Sequence, residues 1–275
     1  MCTVPVLKRF CRESYSDPRE VYEKLKQRGM DLVTVSDHDS IDAVEALRRH
    51  DDFFLSEEVS CVTPSGTRLH VGVYGIQERH HVELQRRRND LMSLVAWLQC
   101  EGLFFSVNHV FSGLTGPRTD ADFLLFDRCF PAFETLNGQM PRFSNRAAGE
   151  FAARLGKAAV GGSDAHTLAP VGRTWTEVKE ARNVQEFLEG LRQGRGRAQG
   201  EAGSYTKLTL TILEIGYKMM REKGGTVLLG PLLPAVPAIT MANFIREFAF
   251  AYRWTRRVTK SPERTAAEAQ PEAIS

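Results

Sequence analysis

Apolar residues along this chain fall into short blocks whose spacing alternates between helical and extended, and each block is punctuated by glycine, proline or a charged pair. Asp17, Pro18 and Glu20 read as the N-cap, first position and capping-box partner of a helix that ends before Gly29, with Val21, Tyr22 and Leu25 on its apolar face. Asp31–Ser36 reads as a buried strand, and Ile41–Arg49, with Val44 and Leu47 in register, as a short helix. Phe53–Leu55 leads into Glu57-Glu58, and Pro64-Ser65-Gly66 turns the chain into a strand at Arg68–Ile76. One long helix is expected over Glu78–Cys100, with Leu84, Leu91, Leu94, Val95 and Leu98 as its buried stripe. Strand Leu103–Val107, helix Asp120–Phe126, strand Ala132–Leu136, helix Phe143–Leu155 and strand Lys157–Val160 follow. This alternation predicts a parallel α/β barrel.

Six short segments end in metal-seeking residues: Asp37-His38-Asp39, Glu57-Glu58, His70, Asn108-His109, Glu134 and Gly162-Ser163-Asp164-Ala165-His166. Five of them sit where an apolar or β-branched run stops, the place where parallel barrels carry their chemistry. Singly, His38, His109 and His166 would read as hydrogen-bonded core or loop histidines. Their recurrence after successive strands favours a ligand set and a metal-based hydrolase. Strand alternation leaves the direction of His70 open, and it points Glu57 to solvent and Glu58 inward. Glu134 reads equally as a metal-linked group and as a structural carboxylate bonded to loop amides. Gly161-Gly162 allows close backbone approach beneath the site. His50, His80 and His81 lie in or beside polar helix ends and read as solvated surface.

The 275 residues, 42% hydrophobic and 25% charged, suffice for one ordinary core plus an appendage. A net charge of +2 gives no global field that argues for nucleic acid. Five cysteines without CxxC spacing read as reduced thiols and make thiolate zinc sites unlikely candidates. Met1–Phe10 has no signal-peptide pattern, so a cytoplasmic location is expected.

The ordered motifs Ser36-Asp37-His38-Asp39-Ser40, Glu58-Val59-Ser60, Leu69-His70-Val71-Gly72, Asn108-His109, Glu134-Thr135-Leu136-Asn137 and Gly161-Gly162-Ser163-Asp164-Ala165-His166 resemble the PHP (polymerase and histidinol phosphatase) phosphoesterase family over roughly residues 1 to 190. The resemblance implies a distorted seven-stranded (βα) barrel, TIM-like, whose strand ends hold two or three divalent ions and which hydrolyses phosphoesters. It makes Glu58 the carboxylate bridging two ions, gives His70 and His109 to one site, Asp164 to the other, and His38 and His166 to a third. Such an imidazole and carboxylate shell suits Zn, Mn or Fe. Asp37 and Asp39 become candidates for orienting an imidazole or accepting a proton, alongside His38. Arg142 and Arg173 become candidates for binding substrate phosphate. The family pattern begins with a strand ending in His-x-His, for which Met1–Asp17 offers no equivalent: either the sequence starts downstream of that first strand, the favoured reading, or the chain is a metal-poor descendant that lacks it. On this pattern only the Glu58, His70 and His109 site keeps all its ligands.

The barrel is expected to occupy residues 1–193. Gly194–Gly200 opens a flexible basic linker over 194–204, followed by a helical, apolar and basic segment at 205–258 and a disordered tail at 259–275. Tyr205–Lys223 is helical, and Thr226–Asn243 is apolar but interrupted by Pro231, Pro234 and Pro237. Phe244–Arg257 mixes Phe244, Phe248 and Trp254 with Arg246, Arg253, Arg256 and Arg257. A continuous membrane span is disfavoured by the prolines. Contact of residues 226–257 with the inner face of a membrane, and packing on the barrel or a second subunit, remain open. The expected function is metal-dependent hydrolysis of a small phosphorylated metabolite or nucleotide. The competing readings are a non-catalytic, metal-poor PHP-like protein at a membrane surface and an amidohydrolase or lactonase using the same metals.

Overall fold

The computed structural model describes residues 16–222, 230–231 and 233–259. Expectations for residues 1–15, for 223–229 and 232 of the apolar run, and for the tail after 259 lie outside the described residues.

The chain orders as α1 (Pro18–Gln27), α2 (Val44–Leu47), β1 (Ser56–Val62), β2 (Arg68–Tyr74), α3 (Glu78–Arg87), α4 (Leu91–Cys100), β3 (Phe104–Val107), α5 (Asp120–Cys129) and β4 (Ala132–Asn137), followed by α6 (Arg142–Leu155), β5 (Ala158–Gly162), β6 (Thr174–Glu177), α7 (Val184–Arg192), β7 (Arg197–Gly200), α8 (Tyr205–Glu222) and α9 (Val236–Thr259). The expected α1 forms where its signals lie: Asp17 Oδ1 accepts from Arg19 N at 2.8 Å, and Gly29 follows with φ +77°.

Five strands form one sheet in the order β1-β2-β3-β4-β5, and β6 and β7 form a separate antiparallel pair. The seven-stranded parallel barrel is therefore not what the described residues build. Pro64–Gly66 is a tight turn, which joins antiparallel neighbours, so β1 and β2 run antiparallel; β2 and β3 do too. Only β3, β4 and β5 are mutually parallel. Asp31–Ser36 is not a regular strand: the segment bridges to the stretch before and within β1 at Val33–Phe53 and His38–Glu58. Between those ends the contact runs through side chains, Thr34 Oγ1 to Ser56 Oγ at 2.7 Å.

The expected helix over Glu78–Cys100 breaks in two. Asp90 turns its carboxylate back onto Met92 N and Ser93 N, each at 3.1 Å, and so caps α4 instead of continuing α3. The expected linker also has structure. β7 pairs with β6 from Thr174–Gly200 to Glu177–Arg197. Glycine also lets β7 come close to β5, because a Cβ on Gly161 would lie 2.8 Å from Ala198 Cβ.

The sheet separates two apolar clusters. On its outer face Val59, Leu69, Val71, Val73, Phe105, Val107 and Phe133 pack under α4, α5, α6 and part of α9, where Ala251 and Trp254 are 2% exposed. Each fully buried leucine or phenylalanine there contributes about 1.5–3 kcal/mol. On the inner face Phe54, Phe104, Ala132, Val160, Leu188 and Leu191 form a smaller cluster. The polar residues of the inner face lie beyond that floor.

Candidate metal centre

Antiparallel pairing decides which side chains of β1 and β2 share a face. Glu58 lies opposite Gly72 and Ser60 opposite His70, so Glu58 and His70 both face inward. β3 extends the row: Ser106 lies opposite Gly72, and Asn108 N donates to His70 O at 2.9 Å. Gly72 keeps this floor open, since a Cβ there would stand 2.5 Å from Tyr74 Oη and 3.0 Å from Asn108 Oδ1. The parallel bridge to Glu58 brings in His38.

Glu58 is the hub of the cluster. Its Oε1 lies 3.2 Å from His70 Nδ1 and 3.3 Å from His109 Nε2, and those two nitrogens are 3.2 Å apart. Its Oε2 turns the other way, 3.5 Å from His38 Nε2, and Asn108 Nδ2 donates to Oε1 at 3.0 Å. Such a carboxylate presents one oxygen to each of two neighbouring places, the disposition a bridging ligand needs. The donor set fits a cation. A tetrahedral shell with bonds of about 2.1 Å spaces its donor atoms about 3.4 Å apart, close to the separations among Glu58, His70 and His109. Donor atoms of His38, Glu58 and His70 also fall within 4.8 Å of one another.

The electrostatics describe what occupies this set when only protons compete for it. The imidazoles of His109 and His70 hold Glu58 well below the usual carboxylate range despite its burial. Burial opposes charge on His109, but Glu58 beside it prevails and raises that imidazole to about 9. Burial, with His109 adding to it, lowers the His70 imidazole below its ordinary value against the opposing pull of Glu58. A proton on His109 thus balances the Glu58 carboxylate.

A second polar group adjoins the first. Glu134 Oε2 accepts from His109 N at 2.9 Å, and Asn137 Nδ2 donates at 3.1 Å to both Glu134 oxygens and at 3.1 Å to Asp164 Oδ2. In a regular strand residues 134 and 137 would face opposite ways. A bulge between Glu134 and Leu136 brings them to one side. Burial pushes Glu134 up to about 7, against the lowering effect of His109. His166 Nδ1 lies 3.0 Å from Asp164 O. Three residues of the motifs, Asp39, His109 and Asp164, hold positive φ values of 52°, 33° and 45°. Left-handed backbone at residues other than glycine costs energy and gathers at functional sites.

A cavity of about 1500 Å³ opens onto this assembly, lined among others by Asp37, His38, Glu58, Glu134, Asp164 and His166. The structure thus brings His38, Glu58, His70 and His109 into one cluster and sets Asp164 and His166 on the same cavity. Asp39 lies apart from that donor set: its carboxylate takes Ser60 N at 2.9 Å and Arg88 Nη1 at 2.7 Å, and its backbone N donates to Glu58 O at 3.0 Å. Arg173 reaches the cavity wall while pairing with Glu201 at 3.4 Å. Arg142 stands exposed at the start of α6.

Several sequence readings change. Glu57 is 0% exposed, not solvated: it points to the outer face, where His81 Nδ1 lies 2.8 Å away and Gln85 Nε2 donates at 2.6 Å. Strand alternation put it opposite Glu58 correctly, but α3 covers that side. His81 is therefore not a solvated residue, His80 is buried, and His50 stacks on Tyr22 with ring centroids 3.8 Å apart. Asn108 and Asn137 fall within the sequence motifs, but the sequence assigned neither a role. Their signal was position, one residue before His109 and three after Glu134.

Residues 142–195 match the PHP_C family, described as PHP-associated. That stretch runs from α6 through the Asp164 and His166 loop to α7. The match covers less than half of the chain; with the motif order, it makes the chain similar to PHP-domain proteins. No curated protein matches the chain significantly. Among solved structures, PsfC from Pseudomonas syringae superposes with a TM-score of 0.55 at 15% identity, covering 74% of this chain and 89% of that one. A proposed metal-dependent phosphoesterase from Bifidobacterium adolescentis gives 0.47 at 14% identity, covering 65% and 91%. An amidohydrolase from Chromobacterium violaceum gives 0.49 at 17% identity, covering 67% and 93%. The first likeness shows a shared fold, and the other two are too distant in geometry to add to it.

Proposed function

We propose that this protein is a metal-dependent phosphoesterase acting on a small phosphorylated metabolite or nucleotide. The observation that carries the reading is the convergence of His70 Nδ1, His109 Nε2 and Glu58 Oε1 within 3.3 Å of one another, with His38 on the other Glu58 oxygen. A divalent cation held there supplies Lewis acidity toward a phosphoryl oxygen and toward water. Glu58 orients the two histidines from one oxygen and His38 from the other. Asn108 fixes the Glu58 carboxylate through its amide. Asn137 holds Glu134 and Asp164 side by side, so Asp164 faces the cavity in a fixed pose. Glu134, titrating near neutral pH, can hold a proton at the back of the His109 loop. Asp37, which lines the cavity, and Arg173 are the groups on this chain placed to meet substrate. Asp39 acts through the backbone, fixing the loop that carries His38.

Activated water does not by itself choose phosphorus over carbon. The test is product analysis with Mn²⁺- or Zn²⁺-loaded protein on parallel sets of phosphomonoesters, phosphodiesters and carboxamides. Phosphate or alcohol release that disappears in Glu58→Gln supports the proposal. Turnover confined to carboxamides, or none in the metal-loaded protein, overturns it.

A further inference from the structure

We propose that α9 docks on an anionic phospholipid surface, lying in the plane of the interface rather than crossing it. The inference is independent of the hydrolytic reading.

A helix with one apolar face normally spends that face on the core. α9 has two. One side carries Ala251 and Trp254 into the outer cluster, together with Thr240 and Glu247. On an adjoining flank Met241, Ile245, Phe248 and Tyr252 recur at helical spacing and are 41%, 59%, 51% and 54% exposed, Phe248 at the inner edge also meeting the Phe143 ring at 5.0 Å. Ala238, Ala242 and Ala249, also exposed, widen the strip on its outer side, and Arg256 closes it at the C-terminal end. α8, which meets α9 where Tyr205 Oη donates to Pro237 O, adds exposed Leu210 and Tyr217.

Along α9 the charges beside this strip all have one sign, and the acidic Glu214 between Leu210 and Tyr217 on α8 is paired with Lys218 at 3.1 Å. Arg246, Arg253 and Arg257 recur at i, i+7 and i+11 along one border, and Arg256 lies over the Tyr252 ring at 5.3 Å. Among the described residues none of the four pairs with a carboxylate. The single acidic residue of α9, Glu247, is buried and turned inward, accepting from Gly113 N at 3.0 Å. A second copy of the helix laid on this strip would bring arginines against arginines with no acidic partner, an arrangement that like charge disfavours. An anionic lipid surface satisfies both features: the strip sinks into the acyl boundary while the arginine stems lie along it and their guanidinium groups reach phosphate. No described helix is long and apolar enough to cross a membrane, which fits a helix lying on the surface.

The experiment is co-sedimentation of the full chain with vesicles of phosphatidylglycerol and phosphatidylcholine, against vesicles of phosphatidylcholine alone. The protein is expected to pellet with the anionic vesicles, at least tenfold less with the neutral ones, and to be released by 0.5 M NaCl. Met241→Ser with Ile245→Ser, and separately Arg246→Glu with Arg256→Glu, should each lower partition at least tenfold while leaving the melting temperature within about 2 °C. Equal partition to both vesicle types, or none to either, overturns the proposal. So does a concentration-dependent dimer in lipid-free solution that Ile245→Ser dissolves, since the occupant would then be a second copy.

Discussion

Replacing Trp254 by alanine tests whether α9 is part of the core or a detachable appendage. Trp254 is 2% exposed, its ring stacks on Phe123 at 4.9 Å, and Phe250 lies 6.4 Å away. The guanidinium groups of Arg253 and Arg257 sit over it at 5.7 and 5.3 Å. Removing a buried tryptophan costs about 3–5 kcal/mol when the surroundings relax only in part. The aromatic and cation contacts belong to that sum. In a chain of this size 1 kcal/mol shifts the melting temperature by roughly 2–4 °C, so Trp254→Ala should lower it by about 6–20 °C in scanning calorimetry. Tyr252→Ala, at a side chain 54% exposed, is the control and should cost less than about 1 kcal/mol. A Trp254→Ala protein that melts within about 2 °C of the parent would refute the packing argument.

Glu247 offers a second perturbation. Glu247→Ala strands Gly113 N, which donates to the carboxylate at 3.0 Å, and should cost about 1–3 kcal/mol in urea unfolding. Burial raises the Glu247 carboxyl above its ordinary value, so the stability it lends is complete at low pH and declines as pH rises through the raised value. Glu247→Gln removes that decline, and its stability relative to the parent should therefore improve as pH rises through the raised value. His109 gives a third. Its imidazole is raised to about 9, so the Glu58–His109 pairing stabilises the metal-free protein below pH 6.5 and is lost as pH rises through about 9. A cation taking the His109 nitrogen must displace that proton. Calorimetric titration with Zn²⁺ at pH 7 in buffers of different ionisation enthalpy should report about one proton released per ion; no release would contradict the protonation assigned to His109.

Much of this arrangement was legible in the sequence where the signal is local. Asp17 and Pro18 mark the start of α1, and blocks such as Leu103–Val107 and Ala132–Leu136 announce buried strands by composition alone, each within a residue of β3 and β4. The ligand candidates were legible through their order along the chain, and the strand alternation separated Glu58 from Glu57 correctly. What the sequence did not carry was long-range context. The Pro64–Gly66 turn was visible, yet its consequence, an antiparallel β1 and β2 in place of a parallel barrel, follows only from what packs on each face. Glu57 looked solvated because nothing near it in sequence announces that α3 will deliver His81 and Gln85. β7 hid in a glycine and arginine run because it is a strand through its pairing with β6, roughly twenty residues earlier, not through strand propensity. The bond from Glu247 to the loop after His109 spans 134 residues and leaves no local trace.

The central claim is that Glu58, His70 and His109 jointly bind a cation. Its most direct measurement is metal content and affinity of the full chain after dialysis against Mn²⁺ or Zn²⁺, by elemental analysis and calorimetric titration, in the parent and in Glu58→Gln. The account predicts at least one tightly held ion per chain in the parent and a loss of at least tenfold in affinity in the variant. An ion held equally well by Glu58→Gln, or no ion in either protein, would contradict it.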